Sequence, residues 1–213
     1  MEGRSNTGST ENISELKSRI AQLENEMSRL QAENEQLKRD AYYDKLTGLY
    51  NRAMFGKLLD QEWSEIEREE VDTGEAVPFS LLYMDLDDFK AVNDNYGHPA
   101  GDDVLRSIGQ AIDGQTRQSD FACRIGGDEF VMALPSTSAD GALEVANKLL
   151  GSFSELDLDF GHQIPKPGLS IGIGTHKHGE KPDKLLSEAD TALLSAKKAG
   201  KGGIVHFDAI KDL

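Results

Sequence analysis

The sequence predicts an α/β (α+β) domain built around one mixed sheet and preceded by a parallel two-stranded coiled coil. Three observations predict it. A heptad runs unbroken over residues 13–41, the apolar period changes after Ala41, and strand-length apolar runs then alternate with helical stretches.

Residues 1–12 are polar and rich in Gly, Ser and Thr, which predicts disorder. Ile13, Ile20, Met27, Asn34 and Ala41 then fall at a, and Leu16, Leu23, Leu30 and Leu37 at d. Ile at a with Leu at d favours two parallel strands, and one Asn at an a position fixes register and dimer state. Arg19 and Glu33 at g can meet Glu24 and Lys38 at e of a partner helix. A strict a/d stripe is narrower than the stripe of a helix packed on a core. Residues 13–41 are therefore predicted to form a homodimeric coiled coil.

From residue 42 the pattern is globular. Residues 52–70 read as a helix and 71–78 as a turn-rich break. The run FSLLYMD (79–85) is a buried strand. Residues 88–96 and 102–117 read as helices about a Gly97–Gly101 turn. Residues 121–125 and 130–134 are short strands joined into a hairpin by Gly126-Gly127-Asp128-Glu129. A helix over 139–153, a glycine-interrupted strand over 169–175, a helix over 182–199 and a strand over 204–207 complete the pattern.

Composition bounds the function. The 213 residues are 38% hydrophobic and 29% charged, which fits a soluble protein with a core. No apolar stretch is long enough to span a membrane, and Met1–Asn12 lacks the apolar stretch of a secretory leader. Cys123 is the sole cysteine, so no disulfide forms within the chain and a reducing, cytoplasmic location is expected. The net charge is -15, divided as -2 over residues 1–41 and -13 over 42–213. A domain this acidic is a poor partner for nucleic acid or anionic lipid. A basic-zipper reading fails because only Arg4 precedes the first heptad. An acidic domain that handles a polyphosphate needs metal ions and a few placed cations.

Asp85-Leu86-Asp87 ends the buried strand, at the sheet edge where ligands bind. The hairpin tip adds Asp128 and Glu129 beside Gly126 and Gly127. Three carboxylates on two loops suit a pair of Mg2+ ions, and the glycines let backbone approach phosphate. Taken alone, the hairpin reads equally as an ordinary solvated acidic tip.

Taken together, the motifs resemble one family. Arg-Ile-Gly-Gly-Asp-Glu-Phe (124–130) resembles the signature of the GGDEF-domain diguanylate cyclases. DKLTGLYNR (44–52), DLDDFK (85–90), NDNYGHPAGD (93–102) and the stretch from Ala189-Asp190 to Ala196-Lys197 resemble four further motifs of that family, in order. The likeness covers about residues 42–207 and assigns 42–213 to a palm-like GGDEF domain with a five-strand mixed sheet flanked by helices.

The resemblance implies an enzyme that joins two GTP into cyclic di-GMP and two pyrophosphates. Asp85, Asp128, Glu129 and the Leu86 carbonyl would hold two Mg2+ ions, with Mn2+ able to substitute. These ions would polarise the α-phosphate and lower the pKa of the attacking 3′-OH, with Asp128 accepting its proton. Asn93 and Asp102 would read the guanine edge. Backbone at Phe89 and Lys90, Gly126 and Gly127 at the hairpin, and the Lys197 and Lys201 side chains would hold phosphates. One domain holds one GTP, so two copies must face each other, which gives the coiled coil its purpose.

The C-terminal helix departs from the family pattern. Leu194 stands for Tyr, Lys201 for Arg and Gly202 for Asn. Lysine lacks the bidentate fork that suits phosphate, so weaker GTP binding is expected. Arg117-Gln118-Ser119-Asp120 lies five residues ahead of Gly126 and matches the family's RxxD product-inhibition site, with Lys148 as the candidate second basic residue. The expected partners are GTP, cyclic di-GMP and a second copy of the chain, without nucleic acid or membrane. A turnover-free cyclic di-GMP receptor is opposed by the intact Asp85, Asp128 and Glu129. A cyclase of different base choice stays open, and products formed from GTP and from ATP separate the two.

Overall fold

The structure of the protein, a computed structural model, describes residues 7–156 and 166–211. The chain divides into two units, Met1–Ala41 and Tyr42–Leu213. Helix α1 (Thr7–Tyr42) makes the first. It begins six residues before the expected Ile13, so the disorder expected of residues 1–12 gives way to helix from Thr7; residues 1–6 lie outside the described residues. The polar residues of that first turn cost only tenths of a kcal/mol each in a helix already nucleated by the heptad. Leu16, Ile20, Leu23, Met27, Leu30 and Leu37 are 51–61% exposed, an apolar stripe that the single helix leaves uncovered.

The second unit runs β1 (Tyr50–Asn51), α2 (Arg52–Thr73), β2 (Phe79–Asp87), α3 (Phe89–Tyr96), α4 (His98–Gln115), β3 (Phe121–Arg124), β4 (Glu129–Pro135), α5 (Ala139–Glu155), β5 (Gly168–Thr175), α6 (Pro182–Lys198) and β6 (Ile204–His206). The sheet has six strands, not the five expected, in the order β1-β3-β4-β2-β5-β6. The extra strand is β1, whose two residues are too short to show an apolar period. It pairs parallel with β3, as β6 does with β5, and the other pairings are antiparallel.

In the second unit α2 and α4 outrun their expected bounds the most, and α5 runs two residues past its own. Helix α2 continues to Thr73 and stops at Gly74, whose φ of 74° and N–H to the Glu70 carbonyl close the last turn. Helix α4 starts at His98 instead of residue 102. Pro99 sits in its first turn, where a missing N–H costs nothing, and Gly97 alone makes the corner with φ of 85°.

Strand β2 lies in the middle and is buried on both faces. Leu82, Met84 and Leu86 join the core formed with α3, α4 and α5, while Phe79 and Leu81 join the core formed with α2 and α6. The glycines that interrupt β5 serve the second layer. A Cβ on Gly172 would stand 2.1 Å from the Ala189 carbonyl oxygen and 2.2 Å from the Leu193 nitrogen. Only glycine lets α6 lie this close to the sheet, and that contact carries Lys197 to the ends of β2 and β5. Among the described residues, no helix is long and apolar enough to cross a membrane.

Candidate active site

Alternation along β2 puts Tyr83, Asp85 and Asp87 on the face toward α6, opposite Met84 and Leu86. Asp85 stands in register with Glu129 of β4 on one side and Ser170 of β5 on the other. Its Oδ1 lies 2.6 Å from Lys197 Nζ on α6. Burial pushes the Asp85 carboxyl above the usual carboxylate range. Lys197 pulls it back, and the like charges of Asp128 and Glu129 push it up again.

The hairpin between β3 and β4 is fixed from three sides. Ile125 N–H donates to the Glu129 carbonyl at 3.0 Å, and Leu86 N–H donates to the Asp128 carbonyl at 3.3 Å, which ties the tip to the end of β2. The Leu86 side chain is buried in the core, so only its backbone faces the site. The Arg124 guanidinium donates to the carbonyls of Gly126 (3.1 Å) and Gly127 (2.8 and 3.1 Å), and to the Asp44 carboxylate at 3.3 Å. Asp44 in turn accepts from the Thr47 N–H and hydroxyl at 2.9 and 2.8 Å. The Glu129 carboxylate lies over Gly126, where a Cβ would stand 2.7 Å from Oε2.

Asp85, Asp128 and Glu129 offer hard oxygen donors, the kind Mg2+ prefers. Among the described residues, no group of three or more His, Cys, Asp or Glu side chains is placed to hold a metal ion. Mg2+ does not need one, since it keeps waters and takes one or two carboxylates together with substrate phosphate oxygens. The residues present fit that demand, and Lys197 supplies the counter-charge to Asp85.

Asn93 of α3 lies against α4 across the Gly97 corner. A Cβ on Gly101 would stand 2.0 Å from Asn93 Oδ1, so the amide lies against the α4 backbone one residue before Asp102. Phe89 and Lys90 open α3. Asp88 stands at its N-cap with φ of 56° and makes no side-chain cap, so the first-turn N–H groups carry no capping carboxylate. Lys201 Nζ lies 2.7 Å from Asp88 Oδ1. Lys197 and Lys201, the two lysines expected to hold phosphates, therefore both stand beside the acidic end of β2.

Arg117 and Asp120 occupy the turn after α4. Asp120 is buried and accepts from the Arg117 N–H at 2.9 Å and the Ser119 hydroxyl at 3.3 Å. Both line a cavity of about 290 Å³ with Tyr43 and Tyr50, whose rings stack at 4.9 Å. Lys148 lies exposed on α5 and does not line that cavity. Sequence reasoning quoted Arg124, Asp44 and Asp87 within motifs but gave them no task. Asp87 carries one signal, its place two residues from Asp85 on the same strand face.

The family described as "Diguanylate cyclase, GGDEF domain" matches residues 41–203. The diguanylate cyclase TpbB of Pseudomonas aeruginosa strain UCBPP-PA14 is 38% identical over 187 residues, 86% of this chain and 41% of that protein. The response regulator PleD of Caulobacter vibrioides strain NA1000 / CB15N is 36% identical over 168 residues, 78% of this chain and 36% of that protein. This chain thus spans about two-fifths of the length of these curated relatives. Among solved structures, the coiled coil and GGDEF domain of DgcB from Caulobacter crescentus in complex with c-di-GMP superimposes with a TM-score of 0.78 at 29% identity, covering 90% of this chain and 98% of that one. The diguanylate cyclase SiaD of Pseudomonas aeruginosa, in complex with its activator SiaC, matches with a TM-score of 0.70 at 32% identity, covering 94% of this chain and 76% of that one.

Proposed function

The chain belongs to the GGDEF family of diguanylate cyclase domains, and on that premise we propose that it condenses two GTP into cyclic di-GMP and two pyrophosphates. The observation that carries this reading is the pairing of Asp85 with Glu129 across β2 and β4, beside Lys197 and under a hairpin held by Arg124.

Each domain holds one GTP. The Asn93 amide and Asp102 carboxylate take the guanine edge, the carboxylate accepting from N1–H and N2–H, a donor pair adenine lacks. First-turn N–H groups of α3 at Phe89 and Lys90, together with Gly126, Gly127, Lys197 and Lys201, hold the phosphates. The 3′-oxygen of one GTP bonds to the α-phosphorus of the other, the bond from that phosphorus to the β-phosphate oxygen breaks, and pyrophosphate leaves. Asp128 takes the hydroxyl proton, directly or through water. Two Mg2+ bound at Asp85, Asp128, Glu129 and the Leu86 carbonyl would supply Lewis-acid stabilisation of the charge on the transferring phosphoryl group.

Two half-sites must meet, and the uncovered a/d stripe of α1 supports a parallel homodimer that raises their effective concentration. The DgcB structure likewise contains a coiled coil. Product feedback at Arg117 and Asp120 is supported by their shared cavity and by relatives crystallised with c-di-GMP. A guanidinium can grip phosphate and stack on a purine there.

Incubation with GTP and Mg2+, with nucleotides resolved by chromatography, tests the reading. Cyclic di-GMP and pyrophosphate are expected from GTP and not from ATP. Hydrolysis alone, or no turnover by the dimer, overturns it. Progress curves test the feedback. Wild type should slow as cyclic di-GMP accumulates and Arg117→Ala should not, whereas a wild type indifferent to micromolar product refutes it.

A further inference from the structure

We propose that Asp87 is a positioning residue for the nucleotide triphosphate, holding the loop after α6 in the one backbone conformation that presents Lys201 to the β- and γ-phosphates. The inference rests on the reading of this site as a GTP site, and adds a residue to which that reading assigns no task.

Lys201 has a left-handed backbone, with φ of 66°, between Gly200 at 127° and Gly202 at 64°. A non-glycine residue is strained there, so its surroundings must enforce it. At one end α6 does so. Gly200 N–H donates to the Lys197 carbonyl at 3.4 Å and Lys201 N–H to the Ala196 carbonyl at 3.2 Å, the bond pair of a Schellman cap. At the other end Asp87 does so. Gly202 N–H donates to Asp87 Oδ2 at 2.8 Å and is shared with Ser170 Oγ at 3.2 Å. The next residue enters the sheet, Gly203 accepting from Ile171 N–H at 2.9 Å.

Asp87 is built for this task. It is 4% exposed. Ser170 donates its hydroxyl to both carboxylate oxygens, at 2.8 and 3.0 Å. Gly168, opposite Asp87 on β5, has no side chain because a Cβ would stand 2.6 Å from Asp87 Oδ2. A buried carboxylate whose oxygens are taken up by a hydroxyl and a backbone N–H acts through geometry. The Asp88–Lys201 ion pair cannot replace it. Those side chains are 70% and 46% exposed, and such pairs contribute little. The backbone anchor fixes where Lys201 stands, and the weak pair leaves its ammonium able to turn to phosphate.

Calorimetry with two unreactive probes tests the proposal. The first is 3′-deoxy-GTP with Mg2+, which lacks the attacking hydroxyl. The second is GMP, which lacks the β- and γ-phosphates. Asp87→Ala and Lys201→Ala should each weaken the triphosphate on the order of tenfold and leave GMP unchanged. The double variant should be no weaker than either single one, because both act through one contact. Asp87→Leu, which keeps the branched shape and removes both acceptor oxygens, covers the case in which Asp87→Ala fails to fold and should show the same selective loss. The proposal is overturned if the variants lose GMP and triphosphate equally, if the two losses add, or if the triphosphate binds Asp87→Leu as it binds wild type. Wild type that binds neither probe would overturn the GTP-site reading itself, whereas wild type that binds both isolates any failure to Asp87.

Discussion

Replacing Arg124 by Ala should loosen the catalytic hairpin more than it harms the core. The guanidinium makes bonds of 2.8–3.1 Å to the carbonyls of Gly126 and Gly127, and reaches Asp44 at 3.3 Å. A hydrogen bond to a charged group is worth about 1.5–3 kcal/mol. The Arg124 side chain is 15% exposed and that of Asp44 25%, so each contact belongs at the low end. Three contacts then give a loss of about 4–5 kcal/mol, read by urea unfolding. Turnover should fall by one to two decades, on the order of 1.4 kcal/mol per decade, with GMP affinity unchanged. Arg124→Lys should recover less than half, because an ammonium cannot bridge the two carbonyls and the carboxylate. The pH dependence has a definite sign. Burial pushes the Asp44 carboxyl up, but the Thr47 hydroxyl and N–H and the Arg124 charge outweigh it and hold it below its ordinary value. A lowered folded pKa stabilises above the unfolded value, and that stability is lost as pH falls through the folded one. The gap between wild type and Arg124→Ala should therefore narrow in acid, below about pH 4. A stability loss under about 1 kcal/mol with wild-type turnover would refute the tether.

Three further changes probe separate parts of the molecule. Gly126→Ala places a Cβ 2.7 Å from Glu129 Oε2, a flexible side-chain end; kcat should fall on the order of tenfold while the melting temperature barely moves. Gly172→Ala meets backbone atoms of α6 at 2.1 and 2.2 Å; denaturant unfolding should show a loss of about 3 kcal/mol or more, since α6 must lift off the sheet. Leu23→Pro should break α1 at about 3 kcal/mol; sedimentation should show monomer, and specific activity should become dependent on protein concentration.

Patterns set by short-range physics were legible in the sequence. The heptad of α1, the FSLLYMD strand and the hairpin turn each carry their own period or turn chemistry. The carboxylates Asp85, Asp128 and Glu129 were legible through motif spacing, and the structure brings Asp85 and Glu129 into register. Strand β1 was not legible, because two residues show no period and its pairing with β3 is decided 73 residues away. The start of α4 was hidden by Gly97 and Gly101, which read as a turn. Gly101 lies inside the helix, and it is a glycine because Asn93 fills the space a side chain would need. The tasks of Arg124 and Asp87 were also hidden. Each depends in part on a partner far along the chain, Asp44 for Arg124 and the Gly202 N–H for Asp87, and one-dimensional spacing carries no trace of that.

Asp85 shows how such a site is held in a domain of net charge -13. It is buried, beside two other carboxylates, with one partly exposed lysine as partner. Burying a charge among like charges costs more than a single partner restores, and the raised pKa of Asp85 reports that imbalance. The fold therefore bears a local destabilisation that a bound cation would relieve, the usual condition of a site shaped for a ligand. Asp85→Asn removes the charge and keeps the shape. It should raise the melting temperature of the free protein while abolishing turnover, and Mg2+ with 3′-deoxy-GTP should stabilise wild type far more than the variant. Thermal melts at neutral pH check both statements. A variant less stable than wild type would mean that the Lys197 pair outweighs the burial of Asp85, and the carboxylate would then be a structural element and not a strained ligand.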